Sequence, residues 1–232
     1  MAIQQLDIEK GYALFSKNSY QTALHQHYGI ELIYCRKGTF TLVTESKTYG
    51  KLTSVIIPSN LPHQFQCGNK DCQLLFLDPL STIGQYVSEK YLINQRDEIL
   101  INVPIEYLFD GGEDILAAPS KEPQNYVELD FRIENCILEI HDNLHCSELS
   151  IKQLSDVSYL SESRLSHLFK EVMGISIRQY ILWNKIRLAV MQSEKGESLT
   201  AAAHAAGFVD SSHFNKAFYN MFGASPYFSL KT

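Results

Sequence analysis

The 232-residue sequence has no apolar run of about eighteen residues and no basic stretch followed by an apolar core near its start. The first absence argues against a transmembrane helix, and the second argues against a secretory signal. Hydrophobic residues make up 45% and charged residues 20%, a composition typical of globular proteins. We therefore expect a cytoplasmic protein with no membrane partner, long enough for two modest domains.

Cysteine is sparse, with five residues and no CxxC pair. An odd count without such a pair argues against a disulfide framework. Cys67 and Cys72 lie close enough along the chain to form a thiol switch; the alternative is that both are reduced residues of a strand and loop. The second interpretation is favoured because a reducing cytosol keeps thiols free.

An excess of positive charge, the usual mark of a nucleic-acid-binding protein, is also missing, since the net charge is -6. The charge is unevenly distributed, however. Residues 1–146 hold 11 basic and 19 acidic side chains, whereas residues 147–232 hold 9 basic and 7 acidic ones. A change of sign along the chain is typical of a sensor joined to a nucleic-acid-binding module, but this excess is too small to establish one.

Short segments of β-branched and aromatic residues dominate residues 1–80. Glu31–Cys35, Thr39–Val43 and Ser54–Ile57 are three such segments, and turns containing glycine or proline separate them. Several short strands with regular turn signals predict a small antiparallel barrel or sandwich.

The middle of the chain predicts helices and a linker. The helix predicted over Ser81–Tyr91 would either contact a second copy of the chain or pack on its own barrel. The polar stretches Asp110–Gly112 and Pro119–Pro123 are the linker candidates. From about Tyr126 the apolar period becomes helical, with a stripe of Leu129, Ile133, Cys136, Ile137, Ile140 and Leu144.

One pattern occurs twice, at residues 165–174 and 214–223, with a constant offset of 49 residues. Each copy has apolar residues at i, i+3, i+4, i+7 and i+8 and ends in glycine, as does a helix with one buried face and a left-handed C-terminus. Ser161 and Asp210 precede the copies as capping candidates. We expect these apolar residues to face the core: Leu165, Leu168, Phe169, Val172 and Met173 in the first copy, and Phe214, Ala217, Phe218, Met221 and Phe222 in the second.

Each copy follows a shorter predicted helix, Ile151–Val157 in the first case and about Leu199–Ala206 in the second. A short helix, a tight turn and a second amphipathic helix form a helix-turn-helix. A long helix over Ile177–Ser193 would hold the two units apart, so that they enter major-groove faces about 10 base pairs apart. A plain helical bundle is the alternative, and the constant offset disfavours it.

Residues of both units and of the helix between them also occur in the order that is typical of one known family of DNA-binding domains. They are Leu154, Ser155, Leu160, Ser161, residues 165–170, Gly174, Gln179, Tyr180, Arg187, Ala189, residues 206–208, Phe214, Phe218, Phe222, Gly223, Ser225 and Pro226. Over roughly residues 127–232 the chain strongly resembles the AraC-type (arabinose-regulator-like) DNA-binding domain. The resemblance implies a transcription regulator rather than an enzyme, with double-stranded DNA and RNA polymerase as partners. It favours an activator, although the residues themselves do not distinguish activation from repression.

The polar faces of the two repeated helices are the candidate DNA contacts, because the N-terminal part of such a helix meets base edges. The resemblance implies base-facing positions at Ser163, Ser166 and His167, with Lys170 also outward, and at Ser211, Ser212 and Lys216, with Asn215 alongside. The second unit departs from the family, which usually has basic residues where Tyr219 and Asn220 stand and an arginine after Pro226. Fewer phosphate-neutralising charges predict weaker non-specific binding by this unit.

Three histidines and a glutamate form a second constellation. His25, His27 and Glu31 have equal parity along a strand and therefore share a face, and His63 follows Pro58 and Asn60. Three imidazoles and one carboxylate suit Zn, Fe, Mn, Ni or Cu. The spacing resembles the metal motif of cupin barrels, with Asn60 where glycine is usual. The resemblance implies one divalent transition metal; the alternative is an effector pocket or a structural role for the same residues.

The expected fold is α+β: a cupin β-barrel followed by an all-α double helix-turn-helix domain. We place the sensor barrel at residues 1–80, a helical linker segment with a dimer contact at residues 81–122, and the DNA-binding domain at residues 123–232. The predicted function is sequence-specific regulation of transcription in response to a small molecule or metal in the barrel. The alternatives are a cupin oxygenase or isomerase, and a regulator that acts mainly through a protein partner.

Overall fold

A computed structural model describes residues 2–7, 10–93, 98–106, 109, 129–145 and 149–226. The chain divides into two compact units, one of residues 1–126 with residues 218–232 and the other of residues 127–217. Cys146, the two linker candidates and the residues after Pro226 lie outside the described part, and the domain boundaries stay a prediction. Within the described residues, no helix is both long enough and apolar enough to cross a membrane.

The first unit is built on an antiparallel sheet. Its strands are β1 (Ala2–Asp7), β2 (Tyr12–Gln21), β3 (Ile30–Lys37), β4 (Phe40–Thr44), β5 (Thr48–Leu52), β6 (Ser54–Ile57), β7 (His63–Leu77) and β8 (Leu100–Ile101). They pair in the order β1-β2-β7-β3-β6-β8, with β4 between β7 and β5. The three predicted strand segments are confirmed as β3, β4 and β6.

Helix α1 (Thr82–Lys90) confirms the helix predicted after the strands. The Ser81 hydroxyl accepts a hydrogen bond from the Gly84 N–H and so caps the helix start. Ile83 and Val87 are buried in the apolar cluster that covers one face of the sheet. The helix therefore packs on its own sheet, and the predicted dimer contact through its other face stays a prediction.

The second unit is helical, which confirms a β-rich domain followed by a helical one. The capping box predicted at Ser150 and Gln153 is present, and Ser176 forms another with Gln179. The helices that follow α1 are α2 (Phe131–Asp142), α3 (Ile151–Val157), α4 (Glu162–Met173), α5 (Ile177–Glu194), α6 (Leu199–Ala205) and α7 (Ser211–Phe222), the last of which ends in the first unit.

Helix α5 contacts its neighbours through two buried side chains, Tyr180 and Lys185. Near its start, the buried Tyr180 ring meets Phe169 of α4 at a centroid distance of 5.6 Å, and its hydroxyl lies 3.1 Å from Nε2 of His141 on α2. Farther along, Lys185 Nζ donates to the Gly207 carbonyl at 2.9 Å. The long connector is thus anchored to both halves of the unit.

The buried faces of the repeated helices agree with the sequence pattern except at Val172 and, in part, at Phe222, which is half-buried. Leu165, Leu168, Phe169 and Met173 are buried, whereas Val172 is 39% exposed. The neighbouring Glu171 and Gly174 are exposed as well, so the last turn of α4 projects from the core on this side. The expectation that Val172 faces the core is therefore wrong.

Candidate functional site

Helix α4 presents the first set of predicted DNA-contacting side chains. Its N-cap Ser161 accepts a hydrogen bond from the Arg164 N–H at 3.3 Å. Ser163, His167 and Lys170 are exposed on the face opposite the buried stripe. Ser166 is half-buried, and its hydroxyl donates to the Glu162 carbonyl at 2.8 Å. Three of these four side chains are therefore open to solvent, while Ser166 is turned toward its own helix.

Helix α7 presents the second set in the same way. Asp210 caps it, because Oδ1 accepts from the His213 N–H at 2.7 Å. Ser212, Asn215 and Lys216 are exposed, whereas Ser211 is half-buried. The resulting surface carries a lysine, an amide and a hydroxyl, which can all hydrogen-bond to base edges or phosphates.

The predicted contacts omit Arg164 in the first turn of α4. Arg164 is exposed. The residue that stands 49 positions later, in α7, is His213, and it is exposed too. Both stand three residues after a capping residue, in the part of a recognition helix that enters the major groove. The capping pattern and the helical period would have located them, and arginine is the side chain that most often binds guanine.

The turns of the two helix-turn-helix units share one left-handed residue and one backbone hydrogen bond. In the first, Tyr159 takes a left-handed conformation with φ 53°, and the Leu160 N–H donates to the Ser155 carbonyl at 3.1 Å. In the second, Gly207 has φ 76°, and the Phe208 N–H donates to the Ala203 carbonyl at 3.0 Å. The left-handed residue reverses the chain and lets the next N–H close the shorter helix.

The four residues of the second constellation come together in the first unit. His25, His27, Glu31 and His63 are all buried, and one ligand atom from each lies within 4.8 Å of the others. Glu31 lies on β3 and His63 begins β7, while His25 forms an isolated antiparallel bridge with His63. The sheet register therefore brings residues nearly forty positions apart to one point.

Backbone carbonyls fix the orientation of all three imidazoles. Nδ1 of His25 lies 2.9 Å from the Ala23 oxygen, and Nδ1 of His63 lies 2.8 Å from the Leu61 oxygen. Nδ1 of His27 lies 2.9 Å from the oxygen of Gly29. Since a carbonyl oxygen can only accept, each Nδ1 must carry the proton, which leaves Nε2 as the ligand atom.

The Nε2 atoms of His27 and His63 both face the same oxygen, Oε2 of Glu31, at 3.3 Å and 2.9 Å. With their protons on Nδ1, neutral rings have none for these two contacts. A protonated Glu31 would supply only one. The pair of contacts thus requires either a buried imidazolium or a cation among the three groups.

The pKa shifts agree with a neutral ring beside a carboxylate. Burial, together with the neighbouring His63 and His27, lowers the pKa of His25 to about 3. Burial raises the pKa of Glu31, but the close contacts with the His27 and His63 rings outweigh it and hold that pKa below its usual range. Neutral imidazole and ionised carboxylate are the forms that ligate metal ions.

These observations show that the residues fit a divalent transition metal. The donor set is three imidazole nitrogens and one carboxylate, and carbonyls hold each ring as they do in protein metal sites. When bound, a divalent metal would supply the positive charge that the Nε2 and Oε2 atoms otherwise require from a proton.

The candidate thiol pair of Cys67 and Cys72 is buried. Cys35, Cys67 and Cys72 are buried in the sheet as free thiols. The neighbouring Cys67, burial and Cys35 together raise the pKa of the Cys72 thiol. Because thiolates rather than thiols react, this environment favours the interpretation as inert, reduced residues.

The helical half of the chain is similar in sequence to known proteins. Residues 154–229 match the family described as "Helix-turn-helix domain". The chain is 26% identical over 188 residues to the probable transcriptional regulator LumQ of Photobacterium leiognathi, an alignment that covers 73% of this chain and 75% of LumQ. It is 31% identical over 99 residues to the arabinose operon regulatory protein of Salmonella typhimurium, which covers 42% of this chain and 35% of that protein.

Solved structures extend the likeness to both halves of the chain. Apo ToxT K231A from Vibrio cholerae matches with a TM-score of 0.65 and 14% identity, over 95% of this chain and 98% of ToxT. ToxT bound to an unsaturated fatty acid matches with a TM-score of 0.62. At this identity the likeness shows the fold, a β-rich domain followed by a helix-turn-helix domain. The matched family and the two named regulators identify residues 154–229 as a DNA-binding helix-turn-helix domain of the AraC type, in a chain similar to transcription regulators.

Proposed function

We propose that this protein regulates transcription by reading a specific DNA sequence with α4 and α7. The observation that carries the proposal is the repeated helix itself. Two helices 49 residues apart have matching caps and matching left-handed glycine ends, and each exposes polar side chains opposite a buried stripe. A plain helical bundle does not require two copies at a constant offset with matching caps and ends, whereas two helix-turn-helix units do.

The exposed side chains divide into two roles. Ser163, His167, Ser212 and Asn215 are short or flat groups placed to read base edges, together with Arg164. Lys170 lies a turn beyond His167, and Lys216 lies a turn beyond Ser212. Their flexible cations suit phosphate contacts that fix the position on the duplex, and Lys216 also has the reach for guanine O6 or N7. Ser166 and Ser211, which are half-buried, would contribute less than the sequence alone implies.

The first unit is proposed to be a cupin-like sensor whose effector is a divalent transition metal at His25, His27, Glu31 and His63. A small organic effector is the second candidate, since ToxT has been solved with an unsaturated fatty acid bound. At the histidine cluster itself a metal is favoured. A fatty acid carries a carboxylate, and the buried Glu31 carboxylate at the centre of the cluster would repel it.

The proposal also covers the location, oligomeric state and protein partner of the chain. As a transcription activator, the protein would act in the cytoplasm, pair as a homodimer and contact RNA polymerase. The outward face of α1 is the candidate dimer surface.

The direct test is a gel-shift titration of the full chain on DNA from upstream of its own gene, with an unrelated duplex of equal length as competitor. We expect a shift that the unrelated duplex does not displace. A shift that appears only when a second protein is added would favour action through a protein partner. Absence of any shift, together with turnover of a small molecule by the metal-loaded protein, would favour the enzyme alternative.

A further inference from the structure

The histidine cluster is linked to the end of α7 by two successive hydrogen-bonding contacts through the backbone of Ala23. Nδ1 of His25 lies 2.9 Å from the carbonyl oxygen of Ala23. The N–H of the same Ala23 donates to the carbonyl oxygen of Gly223 at 2.7 Å. Gly223 follows directly on the last residue of α7, and residues 218–226 belong to the same compact unit as the cluster. One alanine therefore joins the orientation of a ligating ring to the helix end.

An aromatic contact joins the same two places independently. The ring of Phe222, the last residue of α7, lies 5.8 Å from the His27 ring and 5.6 Å from Phe76, between centroids. Phe76 in turn meets the His27 ring at 5.2 Å. Phe222 and Phe76 thus form an apolar cover on the imidazole of His27, so a turn of this ring would disturb the helix end.

The close approach at Gly223 leaves no room for a side chain. A Cβ atom there would lie 2.5 Å from the Ala23 oxygen and 2.8 Å from Nδ1 of His25. The residue also has φ 65°, which favours glycine. Its main chain is therefore packed directly on the groups that orient His25.

We propose that the histidine cluster controls the second recognition helix through Ala23, Gly223 and Phe222, an inference that rests on the proposed metal site. His25 and His27 in their ligating orientation hold Ala23 and Phe222 in place, and these hold the C-terminal end of α7. Loss of that orientation releases the helix end. The exposed side chains of α7 are then presented less uniformly to DNA, while α4 is unaffected.

Because of thermodynamic linkage, the coupling can be measured either at the metal site or at the end of α7. If ligation of the cluster favours the ordered end of α7, then a change that disorders this end must weaken ligation by the same factor. A metal that bound equally well with the helix end ordered or released would shift nothing. The metal affinity of variants at the helix end is therefore a readout of the coupling that does not depend on DNA.

The test uses the full chain with Zn²⁺ as the probe. Zinc affinity is measured by competition with a chelator for the wild type, Gly223→Ala and the matched control Gly174→Ala. Gly174 ends α4 in the same left-handed conformation, with φ 71°. We expect Gly223→Ala to weaken zinc binding by about tenfold or more, as loss of a group that orients a ligand does, and Gly174→Ala to leave it unchanged. Phe222→Leu, which preserves the backbone, replaces Gly223→Ala if that variant does not fold.

Amide hydrogen exchange on the wild type gives the second readout. Zinc should slow exchange over residues 218–226 relative to the chelated protein and leave residues 165–174 unchanged. Wild-type zinc affinity in all variants, with no change in exchange, would overturn the coupling while the metal site stands. A wild type that binds no zinc would overturn the metal site and the coupling together.

Discussion

Gly174 and Gly223 stand 49 residues apart and end the two repeated helices in the same left-handed conformation, with φ 71° and 65°. Their surroundings differ. Gly174 is exposed, whereas Gly223 is buried and its carbonyl accepts a hydrogen bond from Ala23. The sequence repeat therefore predicts that the two helices have the same local structure. The contacts at their C-terminal ends differ, because Gly223 is packed against Ala23 and Gly174 is not buried.

This difference predicts unequal effects of the same substitution on stability. Gly174→Ala should cost about 1–2 kcal/mol, the price of a left-handed alanine. Gly223→Ala should cost about 1–3 kcal/mol more, because the added Cβ collides with Ala23 and His25. Urea unfolding followed by circular dichroism measures both. Equal losses for the two variants would show that the packing at Gly223 is looser than described.

Removal of one lysine from each recognition helix should weaken DNA binding and reduce its dependence on salt. Lys170→Ala and Lys216→Ala should each lower the slope of log affinity against log salt by about 1, since each removes one phosphate contact. If Lys216 contacts guanine instead, preference at that base will change as well. Lys47→Ala, which removes an exposed lysine next to β5, is the matched control and should leave the slope as in the wild type. A control as impaired as the two variants would argue for a non-specific effect of charge.

Arg164→Ala should change sequence preference as well as affinity. A bidentate arginine contact to guanine provides about 1–3 kcal/mol of discrimination, and Arg164 is exposed in the first turn of α4. The measurement is a binding series on duplexes that differ by one base pair each. Arg164→Lys is the informative companion variant, since it keeps the charge but not the planar fork. Recovery of full preference by lysine would reduce Arg164 to a phosphate contact.

The purified protein should bind one Zn²⁺ per chain, and His63→Ala or Glu31→Gln should lower that stoichiometry. His167→Ala is the matched control, because His167 is an exposed histidine outside the cluster. Saturating zinc should also stabilise the wild type, by about 2.7 kcal/mol at a hundredfold excess over Kd. The thermal shift and the metal content are measured on the same samples. Zinc loss in the His167 variant equal to that in the His63 variant would point to binding outside the cluster.

Local signals in the sequence were enough to predict most of the elements. Alternation of β-branched residues located β3, β4 and β6, and capping residues located α3, α4 and α7 to within one residue. These features depend on neighbours in sequence. The burial of Val172 was predicted wrongly because it depends on what packs against the last turn of α4, which no local period records.

The sequence predicts some features of the candidate sites and not others. Residue types and spacing pointed to the four members of the histidine cluster, since parity on a strand places three of them on one face. The contact between Ala23 and Gly223 could not be predicted, because it joins backbone atoms two hundred residues apart and leaves no side-chain signature. The helical period alone places Arg164 on the exposed face of α4, whereas the family pattern assigns the DNA contacts to its neighbours.

The most direct test of sequence-specific reading by two helices is selection of duplexes from a random DNA pool by the full chain. We expect enrichment of two short elements whose centres lie about 10 base pairs apart. Arg164→Ala should alter one element and Asn215→Ala the other. A pool without enriched sequences, or the same two elements selected by both variants, would show that the two helices do not read DNA in this way.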